Sequence, residues 1–192
     1  GCPVVAKSNT EGYDGKGQAV LRSPDDAEQA WNAIGHDRLM VEKFVNFSRE
    51  VSLIAVRSSD GDVAFYPMAE NVHHEGILRY SIAPAPRLSR ELEEEADGYI
   101  RALLHELDYV GVLALELFEM APRVHNSGHW TMEGAMTSQF ENHIRAVTGL
   151  PLGNTAPRGL SCMVNIIGEH GNIKRILELP YAHVHLYDKE ER

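Results

Sequence analysis

The sequence contains little of what marks several large classes of protein. Only Cys2 and Cys162 occur among 192 residues, which excludes the disulfide framework of a small secreted domain. Positive charge is also scarce, because 18 lysines and arginines stand against 28 acids. A broad surface for nucleic acid or anionic membrane needs net positive potential, and no apolar run approaches the roughly 20 residues of a membrane-spanning helix. We therefore expect a cytoplasmic protein that binds neither nucleic acid nor membrane.

Helix and strand patterns are both spread through the chain. Ser23 and Pro24 begin a helix that ends at Gly35, apolar residues recur at helical spacing over 92–107, and Ser138 and Glu141 form a capping box for a third helix. Short apolar runs predict strands at residues 3–6, 18–21, 39–44, 50–56, 63–66, 110–118, 161–167, 173–177 and 182–186. Strands outnumber helices, so the sequence predicts an α+β fold.

A glycine-rich segment lies between the first two predicted strands. It comprises residues 12–18, with the sequence GYDGKGQ. Glycine lets the backbone approach a ligand closely, so that its N–H groups can surround phosphate oxygens, and Lys7 and Lys16 add positive charge. A mobile hairpin turn explains three glycines equally well.

The segment 41–50, with the sequence VEKFVNFSRE, follows a predicted strand. Exposed main chain at such a place can bind adenine through N–H and C=O groups, and a carboxylate such as Glu50 can accept hydrogen bonds from ribose hydroxyls. A plain connection with surface charges is the alternative interpretation.

Acids and basic side chains cluster near residue 120. Glu116 and Glu119 offer the carboxylate oxygens that Mg²⁺ prefers. Polar side chains that suit the capture of an anionic substrate follow them, namely Arg123, His125, Asn126 and His129. A zinc site at the two histidines would lack a third ligand at plausible spacing. Near the end of the chain, His183, His185, Tyr187 and Lys189 would share one face of a predicted strand.

Several segments together resemble the N5-carboxyaminoimidazole ribonucleotide synthetase family of the ATP-grasp superfamily. They run in the family's order and comprise residues 12–18, 67–78, 121–130, 138–143 and 149–153. The resemblance implies an ATP-grasp fold, in which two α+β subdomains enclose an ATP cleft. Residues 1–45 would belong to the small subdomain, 46–179 to the large catalytic subdomain and 180–192 to the start of a C-terminal segment. The family's N-terminal nucleotide-fold domain is absent from this sequence.

The resemblance also implies an activity. The family joins bicarbonate to 5-aminoimidazole ribonucleotide through carboxyphosphate, in a step of purine biosynthesis that requires ATP and Mg²⁺. Family members are commonly homodimers. We expect a chain without the first domain to bind ATP with little or no carboxylation.

Roles for individual residues follow from the same resemblance. Those expected to bind ATP are Lys7, Gly12, Gly15, Gly17, Gln18, Glu42, Lys43, Val45 and Glu50. Those expected to bind Mg²⁺ are Glu116 and Glu119. Those expected around the ribonucleotide or the carboxylating centre are Tyr13, Asp14, Lys16, Arg123, His125, Asn126 and Lys189, with Arg192 as an additional candidate.

The sequence departs from the family between the two magnesium acids. The family places a longer hairpin there, whereas only Leu117 and Phe118 intervene here. Residues three apart on one strand point to opposite faces, so two such acids could not share an ion. We therefore predict that the strand cannot turn back in this space, and that a hairpin is missing between Phe118 and Glu119.

Two alternatives remain open from the sequence. A formate-dependent glycinamide ribonucleotide transformylase of the same superfamily shares the Ala-Pro-Arg segment at residues 121–123 and the signals of the closing helix. A non-catalytic nucleotide-binding module, in which the shortened acid pair has lost its chemistry, is the second.

Overall fold

Two β-sheets organise the chain. The computed structural model describes residues 1–8, 17–35, 38–45, 47, 49–74, 76–117, 119–121 and 123–187, with the backbone alone at 119–121. Paired strands in both sheets are antiparallel throughout this part of the chain. The combination of sheets and helices confirms the α+β prediction.

The smaller sheet has the strand order β2-β1-β3. Its strands are β1 (Val4–Ser8), β2 (Gln18–Leu21) and β3 (Leu39–Lys43). After β2, a short 3-10 turn at Pro24–Asp26 leads into α1 (Ala27–Ile34). Gly35 ends this helix with a φ of 68°, a left-handed conformation that glycine adopts without steric cost. The predicted start and end of the helix are therefore confirmed.

The larger sheet contains seven strands in the order β10-β7-β6-β4-β8-β9, and β5 also pairs with β4. They are β4 (Glu50–Arg57), β5 (Val63–Phe65), β6 (Ala69–His74), β7 (Ile77–Ala83), β8 (Gly111–Glu116), β9 (Glu119–Ala121) and β10 (Ser161–Val164). β4 is central and is buried along most of its length. Successive side chains of a strand point to opposite faces, so β4 contributes to two separate cores.

The first face of this sheet packs against α2 (Arg90–Glu106), and we call it the helix face. Its apolar cluster contains Val51, Leu53, Ala55, Ala96, Ile100, Leu104 and Leu113. α2 begins at Ser89, whose Oγ accepts a hydrogen bond from the N–H of Leu92 at 3.3 Å. The apolar periodicity of the sequence predicts this helix, and the structure confirms it.

The second face is covered by a 3-10 turn at Asn126–Gly128, by α3 (Thr131–Gly134) and by α4 (Gln139–Val147), and we call it the polar face. Its apolar cluster includes Ile54, Val56, Ala114, Trp130 and Ala146. The turn approaches the sheet closely, because a Cβ on Gly128 would lie 2.3 Å from Cδ1 of Ile54. Any other residue at this point would therefore displace the side chains of Ile54 and Gln139.

The last third of the chain differs from the sequence prediction. Residues 173–177 were expected to form a strand but form α5 (Ile173–Leu177), which begins where Asn172 accepts a hydrogen bond from the N–H of Lys174 at 3.1 Å. Ile173, Ile176 and Leu177 lie at helical spacing, which a reading of short apolar runs overlooks. Residues 182–186 form no strand either, and β10 ends at Val164 instead of continuing to 167.

Among the described residues, no helix combines the length and the apolar character needed to cross a membrane.

Candidate active site

Polar side chains gather at one end of the polar face of the large sheet. Glu116 on β8 lies opposite Ser52 on β4, and Glu50 lies two residues before Ser52. Alternate residues of a strand share a face, so the two carboxylates and the serine hydroxyl lie on the same side. Both acids keep 22% of their side-chain surface exposed, so they are shielded yet still open to a ligand. The sequence predicted both acids as site residues, and the sheet register brings them together.

Glu50 forms an ion pair with His73 on β6. The register pairs Glu50 with Asn71, and His73 follows two residues later on the same face of β6, because alternate residues of a strand share a face. Sequence reasoning did not select His73, although residues 73 and 74 are two adjacent histidines inside one of the resembling segments. We add His73 to the candidate site because of this contact.

β8 and β9 form a tight antiparallel hairpin in which Glu116 pairs directly with Glu119. The expectation that the strand cannot turn back over Leu117 and Phe118 is wrong, because the hairpin has two intervening residues. The expectation that both acids lie on one strand is wrong for the same reason, because Glu116 and Glu119 lie on two neighbouring strands. Strand geometry therefore gives no reason for a missing hairpin. The prediction of a missing hairpin then rests on the family resemblance and not on strand geometry. The side chain of Glu119 lies outside the described residues.

His125 follows β9 and is held by α4. The N–H of His125 donates to Oε1 of Gln139 at 3.0 Å, and Nε2 of Gln139 donates to the carbonyl of His125 at 2.6 Å. Gln139 is fully buried, and its own N–H donates to the hydroxyl of Thr131 at 2.9 Å. Both backbone groups of His125 are therefore fixed by one buried amide.

The ring of His125 faces the acids. Its Nε2 lies 3.9 Å from Oε1 of Glu116, and the side chain is 13% exposed. The pKa of His125 is lowered from 6.5 to about 4, chiefly by burial and to a smaller extent by the positive charges of Arg123, His129 and His73. The imidazole is therefore neutral at pH 7 and can donate or accept a hydrogen bond.

Arg123 and Asn126 flank this histidine. The guanidinium of Arg123 is exposed and donates to the carbonyl of Val124 at 3.1 Å, so it points outward beside the acids' end of the sheet. The carbonyl of Asn126 accepts hydrogen bonds from the N–H of His129 and from its Nδ1, at 3.0 and 3.1 Å. These two bonds hold the 3-10 turn and leave the half-buried side chain of Asn126 at its start.

The predicted nucleotide residues on the small sheet form a second group. Nζ of Lys7 lies 2.7 Å from Oε2 of Glu42, which is two positions away across the β1–β3 ladder. Gln18 pairs with Lys7 in the β1–β2 ladder, and the carbonyl of Gly17 accepts a hydrogen bond from the N–H of Ser8 at 2.7 Å. Lys43 at the end of β3 and Val45 just beyond it are exposed.

Other sequence predictions fall outside the described residues. These are Gly12, Tyr13, Asp14, Gly15, Lys16, Lys189 and Arg192. His183 and His185 are not on a strand, yet both face Glu133, with their nearest nitrogens 3.8 and 3.4 Å from its carboxylate. Among the described side chains, no three His, Cys, Asp or Glu residues are close enough to hold a metal ion. A cavity of about 290 Å³ lies beside α2, where Glu93 and Asp97 line it, and it includes none of the predicted site residues.

Comparisons with known proteins agree on one family. Residues 1–140 match the ATP-grasp domain, and residues 161–192 match the phosphoribosylaminoimidazole carboxylase C-terminal domain. The N5-carboxyaminoimidazole ribonucleotide synthase of Pseudomonas aeruginosa is 49% identical over 98% of this chain. The alignment runs over 198 positions, more than the 192 residues of the chain, so that relative carries residues that are lacking here.

Solved structures give the same result. The N5-carboxyaminoimidazole ribonucleotide synthetase of Thermus thermophilus superposes with a TM-score of 0.89 at 52% identity and covers the whole chain. The synthase of Aspergillus clavatus, solved in complex with ADP and 5-aminoimidazole ribonucleotide, has a TM-score of 0.76 at 34% identity over 88% of the chain. The chain spans about half the length of these proteins, with 54% of the Pseudomonas protein, 54% of the Thermus chain and 47% of the Aspergillus chain covered.

Proposed function

The chain belongs to the ATP-grasp family, and we propose that it is the ATP-binding and catalytic part of an N5-carboxyaminoimidazole ribonucleotide synthase. The reaction would join bicarbonate to the exocyclic amine of 5-aminoimidazole ribonucleotide with consumption of ATP. The placement of Glu50, Glu116 and His125 at one end of one sheet face carries this proposal, because residues that would bind nucleotide, metal and anion then lie side by side. By the same kinship we propose a homodimer in the cytoplasm.

For ATP, we propose that the two groups of residues bind different parts of the nucleotide. Lys7 would hold phosphate oxygens, and the glycine-rich segment 12–18 would cover them. The backbone and side chains at Glu42, Lys43 and Val45 would bind adenine. Glu50 would accept hydrogen bonds from the ribose hydroxyls. The ion pairs Lys7–Glu42 and Glu50–His73 support this assignment, because each holds a charged ligand group in place before a nucleotide arrives.

For Mg²⁺, we propose Glu116 and Glu119 as ligands. Their direct pairing in the β8–β9 hairpin fits this role, since two carboxylates on one face can share an ion. A bound Mg²⁺ neutralises the charge that develops on transferring phosphoryl groups. The chain's own contribution is to hold both acids at fixed backbone positions.

The chemical difficulty is that bicarbonate is a poor electrophile. Transfer of the γ-phosphoryl group of ATP to a bicarbonate oxygen releases ADP and gives carboxyphosphate, which has phosphate as its leaving group. The amine then takes the carboxyl carbon and phosphate departs. Arg123, His125 and Asn126 would orient the anionic reactants, and closure around them would exclude the water that destroys the intermediate.

The test is an ADP-release assay on the full protein. We expect turnover with bicarbonate and 5-aminoimidazole ribonucleotide but not with formate and glycinamide ribonucleotide. We expect Glu116→Gln to lower kcat by about 100-fold or more, as removal of a metal ligand does. Glu106→Gln, at the exposed end of α2, is the matched control and keeps full activity. Turnover with formate instead, or ATP binding that needs no Mg²⁺ and survives Glu116→Gln, would refute the proposal and favour one of the alternatives.

A further inference from the structure

A chain of buried polar side chains crosses the polar face and ends at the ring of His125. The hydroxyl of Ser81 lies 2.7 Å from Oδ1 of Asn71, and Nδ2 of Asn71 lies 3.0 Å from the hydroxyl of Ser52. Ser52 contacts the hydroxyl of Ser127 at 2.9 Å, and Ser127 contacts Nδ1 of His125 at 2.9 Å. We call Ser81, Asn71, Ser52 and Ser127 the polar relay. At most 4% of the surface of each residue is exposed.

One backbone group determines the direction of every hydrogen bond in the relay. The N–H of Ser127 donates to Nδ1 of His125 at 3.2 Å, so Nδ1 carries a lone pair and no proton. The Ser127 hydroxyl can then bond to Nδ1 only by donating. It accepts in turn from Ser52, which accepts from the amide of Asn71. The carbonyl oxygen of Asn71 is left to accept from Ser81, so each donor in the relay has one acceptor.

This order decides which nitrogen of His125 is protonated. A neutral imidazole carries one proton, and two donors on Nδ1 place it on Nε2. Nε2 is the atom that faces Oε1 of Glu116 at 3.9 Å. His125 therefore presents an N–H donor toward the acids. Its Nε2 has no free lone pair with which to bind a metal ion.

We propose that the polar relay is a set of positioning residues, which fix His125 as an Nε2–H donor directed at the ligand bound beside Glu116. The assignment of that ligand as ATP and bicarbonate rests on the proposed function, whereas the protonated nitrogen does not. An N–H donor here would hold an anionic oxygen without competing with Glu116 for Mg²⁺.

The burial of the relay argues against a purely structural role. Four buried polar side chains stabilise a fold no better than apolar ones of similar shape, and an incomplete set is destabilising. On the helix face of the same strand, Val51, Leu53 and Ala55 are all apolar, and the charged Arg57 lies at the end of the strand. A directed chain of hydrogen bonds that ends on a site histidine gives the polar residues a use that packing does not.

The first experiment determines which ring nitrogen of His125 carries the proton. It uses long-range ¹H–¹⁵N spectroscopy of the ¹⁵N-histidine-labelled full protein at pH 7. We expect the Nε2–H form in the native protein. In Ser52→Ala and Ser127→Ala we expect a shift toward a mixture of both neutral forms, and in Ser52→Thr, which keeps the hydroxyl, a return to Nε2–H. Ser58→Ala is the matched control. Ser58 is a buried serine just after β4 whose Oγ accepts from the N–H of Asp62 at 3.1 Å, outside the relay.

The second experiment uses the same variants in the ADP-release assay. We expect Ser52→Ala to lower kcat by roughly tenfold with KM for ATP changed less than about twofold, the size of effect of one weakened hydrogen bond in a site. Ser52→Thr should restore kcat. A native His125 protonated on Nδ1, or an unchanged spectrum in both alanine variants, would overturn the inference. If the protein carboxylates nothing yet the spectra behave as expected, the relay stands and the proposed function fails.

Discussion

The helix face and the polar face of the large sheet are built from the same strand by opposite means. Along β4, Val51, Leu53 and Ala55 enter an apolar core against α2. The alternate residues Glu50 and Ser52 contact His73 and the hydrogen-bonded relay on the other side. The helix face of β4 therefore serves packing, whereas the polar face combines an apolar core at Ile54 and Val56 with the side chains of the proposed site.

The largest effect should come from the helix face. Leu53→Ala removes a side chain that is 2% exposed, and we expect it to lower the free energy of unfolding by about 2–5 kcal/mol, because the surrounding core cannot collapse fully onto the cavity. Chemical denaturation measures this. Leu107→Ala, 52% exposed just after α2, is the control and should change stability by less than about 0.5 kcal/mol. ATP affinity is then measured at a temperature where both variants are folded. Unchanged affinity would support a division of roles between the helix face and the polar face, and a loss of affinity in Leu53→Ala would contradict it.

The polar face should instead respond to pH. The pKa of His125 is about 4 in the folded chain and 6.5 when unfolded, so the unfolded state takes up a proton first as pH falls. His125 therefore contributes fully to the free energy of unfolding above pH 6.5. This contribution, roughly 3 kcal/mol for a shift of this size, is lost as the pH falls from 6.5 to 4.

The measurement is the free energy of unfolding across pH 4–7.5 for the native protein, His125→Gln and Leu53→Ala. We expect the slope of unfolding free energy against pH to flatten only in His125→Gln. Leu53→Ala should run parallel to the native curve at a lower level. If His125→Gln retains the native slope, groups other than His125 set the pH dependence.

Local signals explain what the sequence could predict. α1 and α4 were predicted from a serine at the start of the helix, and α1 and α2 from apolar residues at helical spacing, and both kinds of signal lie within one helix. Glu50 and Glu116 were selected through the family resemblance, and the register of β4 and β8 then placed them together. The nucleotide residues on the small sheet remain predictions.

Long-range register explains what the sequence could not predict. His73 meets Glu50 only because β6 pairs with β4 in a register that sets Asn71 opposite Glu50, and that register is not written in the residues around position 73. The hairpin error has the same origin, because Glu116 and Glu119 were placed on one strand when they lie on two. The relay depends on four elements that meet only after folding, so no spacing in the sequence indicates it.

A smaller effect is expected where α4 holds the site. Gln139→Leu keeps the shape of the side chain but leaves the N–H of His125 without its acceptor, while the C=O still accepts from the N–H of Gly128 at 3.0 Å. We expect a loss of about 1–3 kcal/mol in unfolding free energy, the usual result of unpaired buried polar groups, and faster amide exchange at His125. Glu141→Gln, exposed on the same helix, is the control. Equal exchange at His125 in both variants would contradict the role of Gln139.

The smallest effect is expected from replacing the N-cap serines of α2 and α4, which cover opposite faces of the sheet. Ser89 and Ser138 each accept a hydrogen bond from an N–H three residues on, so alanine at either site should lower the free energy of unfolding by about 1 kcal/mol. The two substitutions should differ in which part of the protein they loosen. The first turn of α2 is largely exposed, whereas Gln139 follows Ser138 directly and holds His125. Fraying after Ser138→Ala should therefore speed amide exchange at His125, and fraying after Ser89→Ala should not. Faster exchange at His125 in both variants would show that the two faces are coupled through the sheet, and the division between them would fail.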